Sequence, residues 1–313
     1  MDARAWIGVF CALLFAATGR PASRPLNGVA VAVQDLGNPF FVQVGRGAEA
    51  KARELGGSDV KFTVASCGYD LNLQMNQIED FISAGFDLIV LNAADSAGIA
   101  PAVRKARAAG ITVVAVDVAA QGGVDATVMS DNVQAGVLAA DFLVKKLGGQ
   151  GNIVIVNGAP VSSVVDRVAG ADEVFRRYPG IRILSRDQNG GASRMGGMSV
   201  MADLLTAFPQ IDAVFAINDP CALGAALAVQ QARRTGITIA SVDGAPEGVQ
   251  ALHDSKSPFL ATAAQDPYAM AEKAVEIGYE IMQGHPPSER RILVPVTLVT
   301  RDNVGAYRGW TYK

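Results

Sequence analysis

The chain has 313 residues, 50% hydrophobic and 6% aromatic, with 27 Lys and Arg against 30 Asp and Glu. That length exceeds one ordinary core and suits two α/β domains. The mildly acidic balance argues against nucleic acid as a partner, and the Ala-, Val- and Gly-rich apolar content fits closely packed layers rather than disordered chain.

The first stretch differs from the rest. Asp2 and Arg4 precede an uncharged apolar run over residues 6–17, and small residues with Arg20 and Pro21 follow. This reads as a secretory signal over 1–24, too short to span a bilayer. The alternative is a buried N-terminal helix, but no amphipathic pattern appears and Pro21 and Pro25 break the chain immediately after. Cys11 lies inside the apolar run behind Val9-Phe10, which argues against lipid attachment there. Without residues 1–24, 24 basic and 29 acidic residues remain, a balance of −5. No later apolar run reaches membrane-spanning length, so an exported, soluble protein is expected. Cys67 and Cys221 fall in different halves and read as two buried small residues rather than a disulfide.

In chain order the first half predicts strands near 28–34, 60–65, 87–91, 112–116 and 126–129, with helices near 41–55, 71–84, 98–109 and 132–147. The second half predicts strands near 152–156, 181–185, 212–217, 237–242 and 259–264, with helices between and a late helix at 268–283. Runs such as Val-Ala-Val-Ala-Val are apolar on both faces, as parallel strands covered by helices must be. An internal repeat organises these elements. Residues 110–117 read Gly-Ile-Thr-Val-Val-Ala-Val-Asp and residues 236–243 read Gly-Ile-Thr-Ile-Ala-Ser-Val-Asp. The same offset of 126 positions maps Asn92 onto Asn218 and Gly98 onto Gly224. The expected fold is α/β, with two doubly wound parallel-sheet lobes joined by a hinge and a ligand cleft between them. The expected division is signal 1–24, first lobe 25–130 plus 266–290, and second lobe 131–265 plus 291–313.

In open parallel sheets, ligands bind beyond the carboxyl ends of the strands. Polar residues just past the predicted strand ends include Gln34, Asp35, Asn38, Asn92, Asp95, Asp117, Arg167, Asn218, Asp219, Asp243 and Gln265. Carboxylates, amides and a guanidinium are the groups that recognise vicinal hydroxyls. Asn92, Asp95 and Asp219 also fit helix caps; the repeat favours a functional role for Asp117 and Asp243. Phe40 and Phe41 offer apolar faces beside Asn38, although Phe41 also falls on the core side of its helix with Val44, Ala48, Ala52 and Leu55. Gly45-Arg46-Gly47-Ala48-Glu49-Ala50 mimics a dinucleotide fingerprint, but it lies inside a helix well past the first strand. His253 and His285 carry no ligand spacing. No metal or cofactor is expected.

The motifs Gly37-Asn38-Pro39-Phe40-Phe41, Ser130-Asp131-Asn132, Ala216-Ile217-Asn218-Asp219, Val242-Asp243-Gly244 and Ala261-Thr262-Ala263-Ala264-Gln265 resemble those of the periplasmic sugar-binding receptors of ABC importers, the ribose-binding protein family. The resemblance covers residues 27 to 300. It implies a pocket between the lobes lined by Gln34, Asn38, Phe40, Phe41, Asp117, Arg167, Asn218, Asp243 and Gln265. It also implies a monomeric periplasmic protein that binds a sugar or polyol by hinge closure and delivers it to a membrane permease. In two places the chain departs from the ribose receptors: Val118 stands where they carry Arg, and Ala192 where they carry Phe. Those departures point to another monosaccharide or an open-chain sugar alcohol. Three other readings stand beside this one. Asp117 and Asp243 suit a sugar-active acid/base pair, and a chemotaxis receptor role can coexist with transport. A sugar-responsive repressor shares the fold, but its helix-turn-helix has no room before the first strand near Gly28.

Overall fold

The computed structural model describes residues 24–310. The expected signal over 1–24 therefore lies outside the described residues, save Arg24.

The first lobe begins with β1 (Gly28–Val33), α1 (Pro39–Gly56), β2 (Lys61–Ser66), α2 (Leu71–Ser83), β3 (Leu88–Leu91), α3 (Ala100–Ala108), β4 (Thr112–Val116) and β5 (Ala126–Ser130). The second contains α4 (Asn132–Lys146), β6 (Gln150–Asn157), α5 (Ser162–Phe175), β7 (Gly180–Asn189), α6 (Arg194–Ala207), β8 (Ala213–Ala216), α7 (Asp219–Gln231), β9 (Thr238–Asp243), α8 (Pro246–His253) and β10 (Phe259–Ala264). Then follow α9 (Pro267–Met282), β11 (Arg291–Val294) and β12 (Thr297–Thr300).

The strands form two six-stranded sheets, ordered β11-β5-β4-β3-β1-β2 and β12-β10-β9-β8-β6-β7. Within each lobe the first five strands take the order 2-1-3-4-5, so the repeat at 126 positions is a repeat of topology. All pairings are parallel except β12 with β10.

β1 shows why these sequences fold so. All six of its residues are buried. Val29, Val31 and Val33 join the core under α1 and α9, whereas Ala30 and Ala32 join the core under α2 and α3. A strand with helices on both faces must be apolar throughout, and its alternate side chains serve different helices. The second lobe's core runs from β6 (Ile153 to Val156) through Phe215 to Phe259.

The late helix α9 returns to the first lobe and packs against α1, β3, β4 and β5. The expected boundary at 290/291 is displaced. β11 extends the first sheet beside β5, with Thr127 N donating to Arg290 O at 2.7 Å and Asp131 N to Val294 O at 2.9 Å. The chain thus passes between lobes after β5, after β10 and again between β11 and β12. Past β12 the chain turns back toward the first lobe, where Trp310, expected in the second, is buried against Phe40. The glycines of 45–50 have a packing reason rather than a nucleotide one: a Cβ on Gly47 would stand 2.3 Å from Tyr268 O where α1 meets α9.

Candidate ligand-binding cleft

All nine residues expected at the site line one cavity between the lobes, which encloses about 480 Å³ of space partly open to solvent. Every one stands at or near the carboxyl end of a strand, or one turn into the helix that follows.

The first-lobe wall starts at Gln34, just after β1, whose Nε2 donates to Ala93 O at 2.7 Å. Asn38 caps α1, its side chain accepting from Phe40 N at 2.9 Å. Phe40 and Phe41 pack edge-to-face with centroids 5.3 Å apart, and Phe40 meets Trp310 at 5.7 Å. Trp310 Nε1 donates to Gln265 O at 3.0 Å, so the chain's end braces both the ring and the crossing segment.

Asp117 follows β4. Asn92 Nδ2 donates to its Oδ2 at 2.9 Å, and Asn92 is fixed by Gln74 Nε2, which donates to Asn92 O at 2.8 Å. Asn92 is therefore neither a helix cap nor a cavity residue; it positions Asp117 from beneath. Burial pushes the Asp117 carboxyl up to about 6, against the opposing pull of Arg167 and the Asn92 amide.

On the second lobe, Arg167 projects from α5. Its Nε donates to Asn132 Oδ1 and its Nη1 to Ile217 O, both at 2.8 Å, and Nη1 stands 3.6 Å from Asp243 Oδ1. Glycines at the α4–α5 crossing set its height: a Cβ on Gly136 would meet Arg167 O at 2.0 Å, and one on Gly170 would meet Val133 O at 2.1 Å. Asp243 also accepts from Gln265 Nε2 at 2.8 Å and from Asp219 N at 3.2 Å. Burial raises the Asp243 pKa, Arg167 opposes this and Asp219 adds to it.

Asp219, expected as a cap, is a buried brace. Its carboxylate accepts from the hydroxyls of Ser241 and Thr262 and from Ala245 N. Asn218 caps α7 in its place, accepting from Cys221 N at 3.0 Å while donating to Ala192 O at 3.1 Å. The two aspartates of the repeat thus have different partners: Asp117 the side-chain amide of Asn92 within its own lobe, Asp243 the side-chain amide of Gln265 together with the backbone amide of Asp219.

The lobes touch at the cleft. Ala119 N donates to Ser162 Oγ at 2.8 Å, and Val161 packs against the core beneath α2 and α3. Val118 and Ala192 both line the cavity. Tyr69 does as well, and sequence reasoning missed it. It lies just past β2, where the strand-end rule that found the others applies equally.

Backbone strain marks the same place. Among the described residues, five other than glycine have positive φ: Tyr69 (65°), Asp117 (65°), Ala192 (50°), Arg233 (53°) and Asp243 (144°). Arg233 follows the end of α7, an ordinary place for it. The other four line the cavity. Such conformations cost about 1–3 kcal/mol each and persist where function holds them.

Cys67 and Cys221 are both buried free thiols. Among the described residues no group of three or more His, Cys, Asp or Glu side chains is placed to hold a metal ion, and no helix is long and apolar enough to cross a membrane.

Two doubly wound lobes, three connecting segments and a polar cavity between them define a two-lobed cleft-binding protein. Residues 29–286 match the periplasmic binding protein domain, and the chain belongs to that family. It is 33% identical over 275 residues to a ribose import binding protein of Bacillus subtilis, covering 87% of each chain. It is 29% identical to a xylitol-binding protein of Mycolicibacterium smegmatis, covering 88% of this chain and 78% of that one. Among solved structures, an ABC transporter solute-binding protein from Mycobacterium smegmatis with bound glycerol superposes with a TM-score of 0.84 at 29% identity, covering 92% of this chain and 98% of that one.

Proposed function

We propose that this protein is the extracytoplasmic binding component of an ABC importer, closing its lobes on one monosaccharide or sugar alcohol and handing it to a membrane permease. The observation that carries this reading is the convergence on one cavity of Asp117 from the first lobe with Arg167, Asp243 and Asn218 from the second. A ligand bridging these groups favours the closed arrangement by the contacts it makes only there. Carboxylates accept from vicinal hydroxyls, Arg167 donates, and the Gln265 Oε1, buried without a partner, accepts one more hydrogen bond. Each bond to a charged group contributes about 1.5–3 kcal/mol, so a handful accounts for micromolar binding after the costs of association.

Val118 and Ala192 favour a ligand other than ribose. They leave Arg167 as the one basic residue lining the cavity and give the second-lobe wall no aromatic ring. The xylitol and glycerol of the two mycobacterial relatives fit the same direction. Binding without turnover is the reading for Asp117 and Asp243, and recovery of unchanged sugar after long incubation checks it. A thermal-shift panel of pentoses, hexoses and polyols tests the ligand class, since saturation at about 100 Kd stabilises by about 2.7 kcal/mol. Stabilisation by a polyol or a monosaccharide other than ribose is expected. Stabilisation by ribose alone would overturn the ligand reading, and a silent panel would overturn the function.

A further inference from the structure

We propose that Tyr69 is the residue that sets ligand size in this cleft, its ring walling the cavity from the first lobe whereas the second lobe contributes no aromatic ring. The inference rests on the cleft being a sugar or polyol site.

The fold gives no reason for a tyrosine at position 69. Gly68 and Tyr69 take consecutive left-handed conformations, φ 58° and 65°. Glycine or asparagine occupies that region at little cost, whereas a bulky side chain is strained in it. The segment is pinned on every side by backbone and capping bonds: Cys67 N to Val33 O at 3.1 Å, Tyr69 N to Gln34 O at 3.2 Å, and Asp70 capping α2. None of these uses the ring. Tyr69 is 46% exposed and belongs to no core cluster, yet it lines the cavity. A strained backbone that presents a large side chain to a cleft, with no packing return, is the pattern expected where binding supplies the selection.

The composition of the walls shows what the ring does there. All aromatic residues lining the cavity, Phe40, Phe41 and Tyr69, come from the first lobe, whereas the second contributes small and branched apolar residues such as Ala192, Val161 and Ile217. Phe40 and Phe41 are buried against each other and Phe40 against Trp310, which fixes their faces. Tyr69 is the half-exposed one, at the solvent side. Its hydroxyl feels the carboxylates of both lobes: burial first, then Asp35 and Asp117 of the first lobe and, more weakly, Asp243 of the second push it up to about 12. It therefore stays protonated and can donate to a ligand oxygen or accept from one. A ring in that position takes up room that an additional hydroxymethyl group would need.

The test uses calorimetric Kd values for the best binder of the sugar and polyol panel and for its homologue one hydroxymethyl group longer. Tyr69→Asn keeps a residue that tolerates the left-handed backbone, so its ligand-free melting temperature is expected within about 2 °C of wild type or above it. The same variant is expected to weaken the shorter ligand about tenfold and to shift the ratio of the two affinities toward the longer one by about tenfold. Tyr69→Phe, which keeps the ring, retains the wild-type ratio. An affinity ratio in Tyr69→Asn within about threefold of wild type overturns the inference while leaving the function intact. A wild-type protein that binds no member of the panel overturns the functional reading first, and this inference with it.

Discussion

Asn92 and Asp117 are joined by a buried hydrogen bond, Nδ2 to Oδ2 at 2.9 Å. Asn92 is fully buried and touches the cavity only through this partner. Asn92→Leu removes the donor and leaves the carboxylate less stabilised in its ionised form. Affinity for the panel's best ligand is expected to fall about tenfold, with the Asp117 titration moving further up. Calorimetric titration at several pH values checks both; a loss of affinity with no change in pH profile would make Asn92 merely structural.

Asp117→Asn separates binding from stability. The ionised Asp117 carboxylate is penalised by burial, so the neutral isostere is expected to raise the ligand-free melting temperature near pH 8 while weakening ligand binding at least about tenfold. Asp243→Ala is expected to weaken binding by a similar factor, and to cost stability as well, because it strips a buried partner from Arg167 and Gln265. Affinities within about twofold of wild type would remove either residue from the site.

The pH dependence follows from the direction of these shifts. Asp117 titrates near 6 in the folded protein and near 3.9 unfolded. A raised folded value means that its stabilising contribution is complete below the unfolded value and is lost as pH rises through about 6. Asp219 and Asp243 are raised as well, so they act in the same direction. The ligand-free protein is therefore expected to melt higher at about pH 5.5 than at about pH 8. Ligand hydroxyls donate to the ionised form, so binding near pH 6 releases protons and weakens on acidification. Binding enthalpies that vary with the ionisation enthalpy of the buffer would show this; buffer-independent enthalpies would contradict it.

Gly170→Ala tests how Arg167 is held. The added methyl would stand 2.1 Å from Val133 O and force α4 and α5 apart. A loss of about 1–3 kcal/mol in denaturant unfolding is expected, together with weaker binding, because Arg167 sits on the displaced helix. Unchanged affinity would show that Arg167 tolerates the shift.

Much of this was readable in advance, and for a physical reason. Strands buried on both faces, such as β1 and β8, are apolar throughout, so they stand out and draw attention to the polar residues at their ends. Asp117 past β4 and Asn218 past β8 stand out in this way. The repeat did the rest for Asp243. β11 and β12 escaped because they are four-residue edge strands, half-exposed and without a long apolar run. Asp219 looked like a cap because an Asp at the start of a helix ordinarily is one; only packing beneath Ser241 and Thr262 shows otherwise. Tyr69 escaped because a left-handed loop residue leaves no periodic signal, and a tyrosine is not the residue that such a backbone predicts.

The most direct test of the central proposal is a crystal structure grown with the best ligand from the panel. Density for one sugar or polyol molecule is expected between the lobes, with oxygens about 2.6–3.2 Å from Asp117, Arg167 and Asp243. Density for the ligand elsewhere on the protein, with the cleft holding only solvent at saturating concentration, would contradict it.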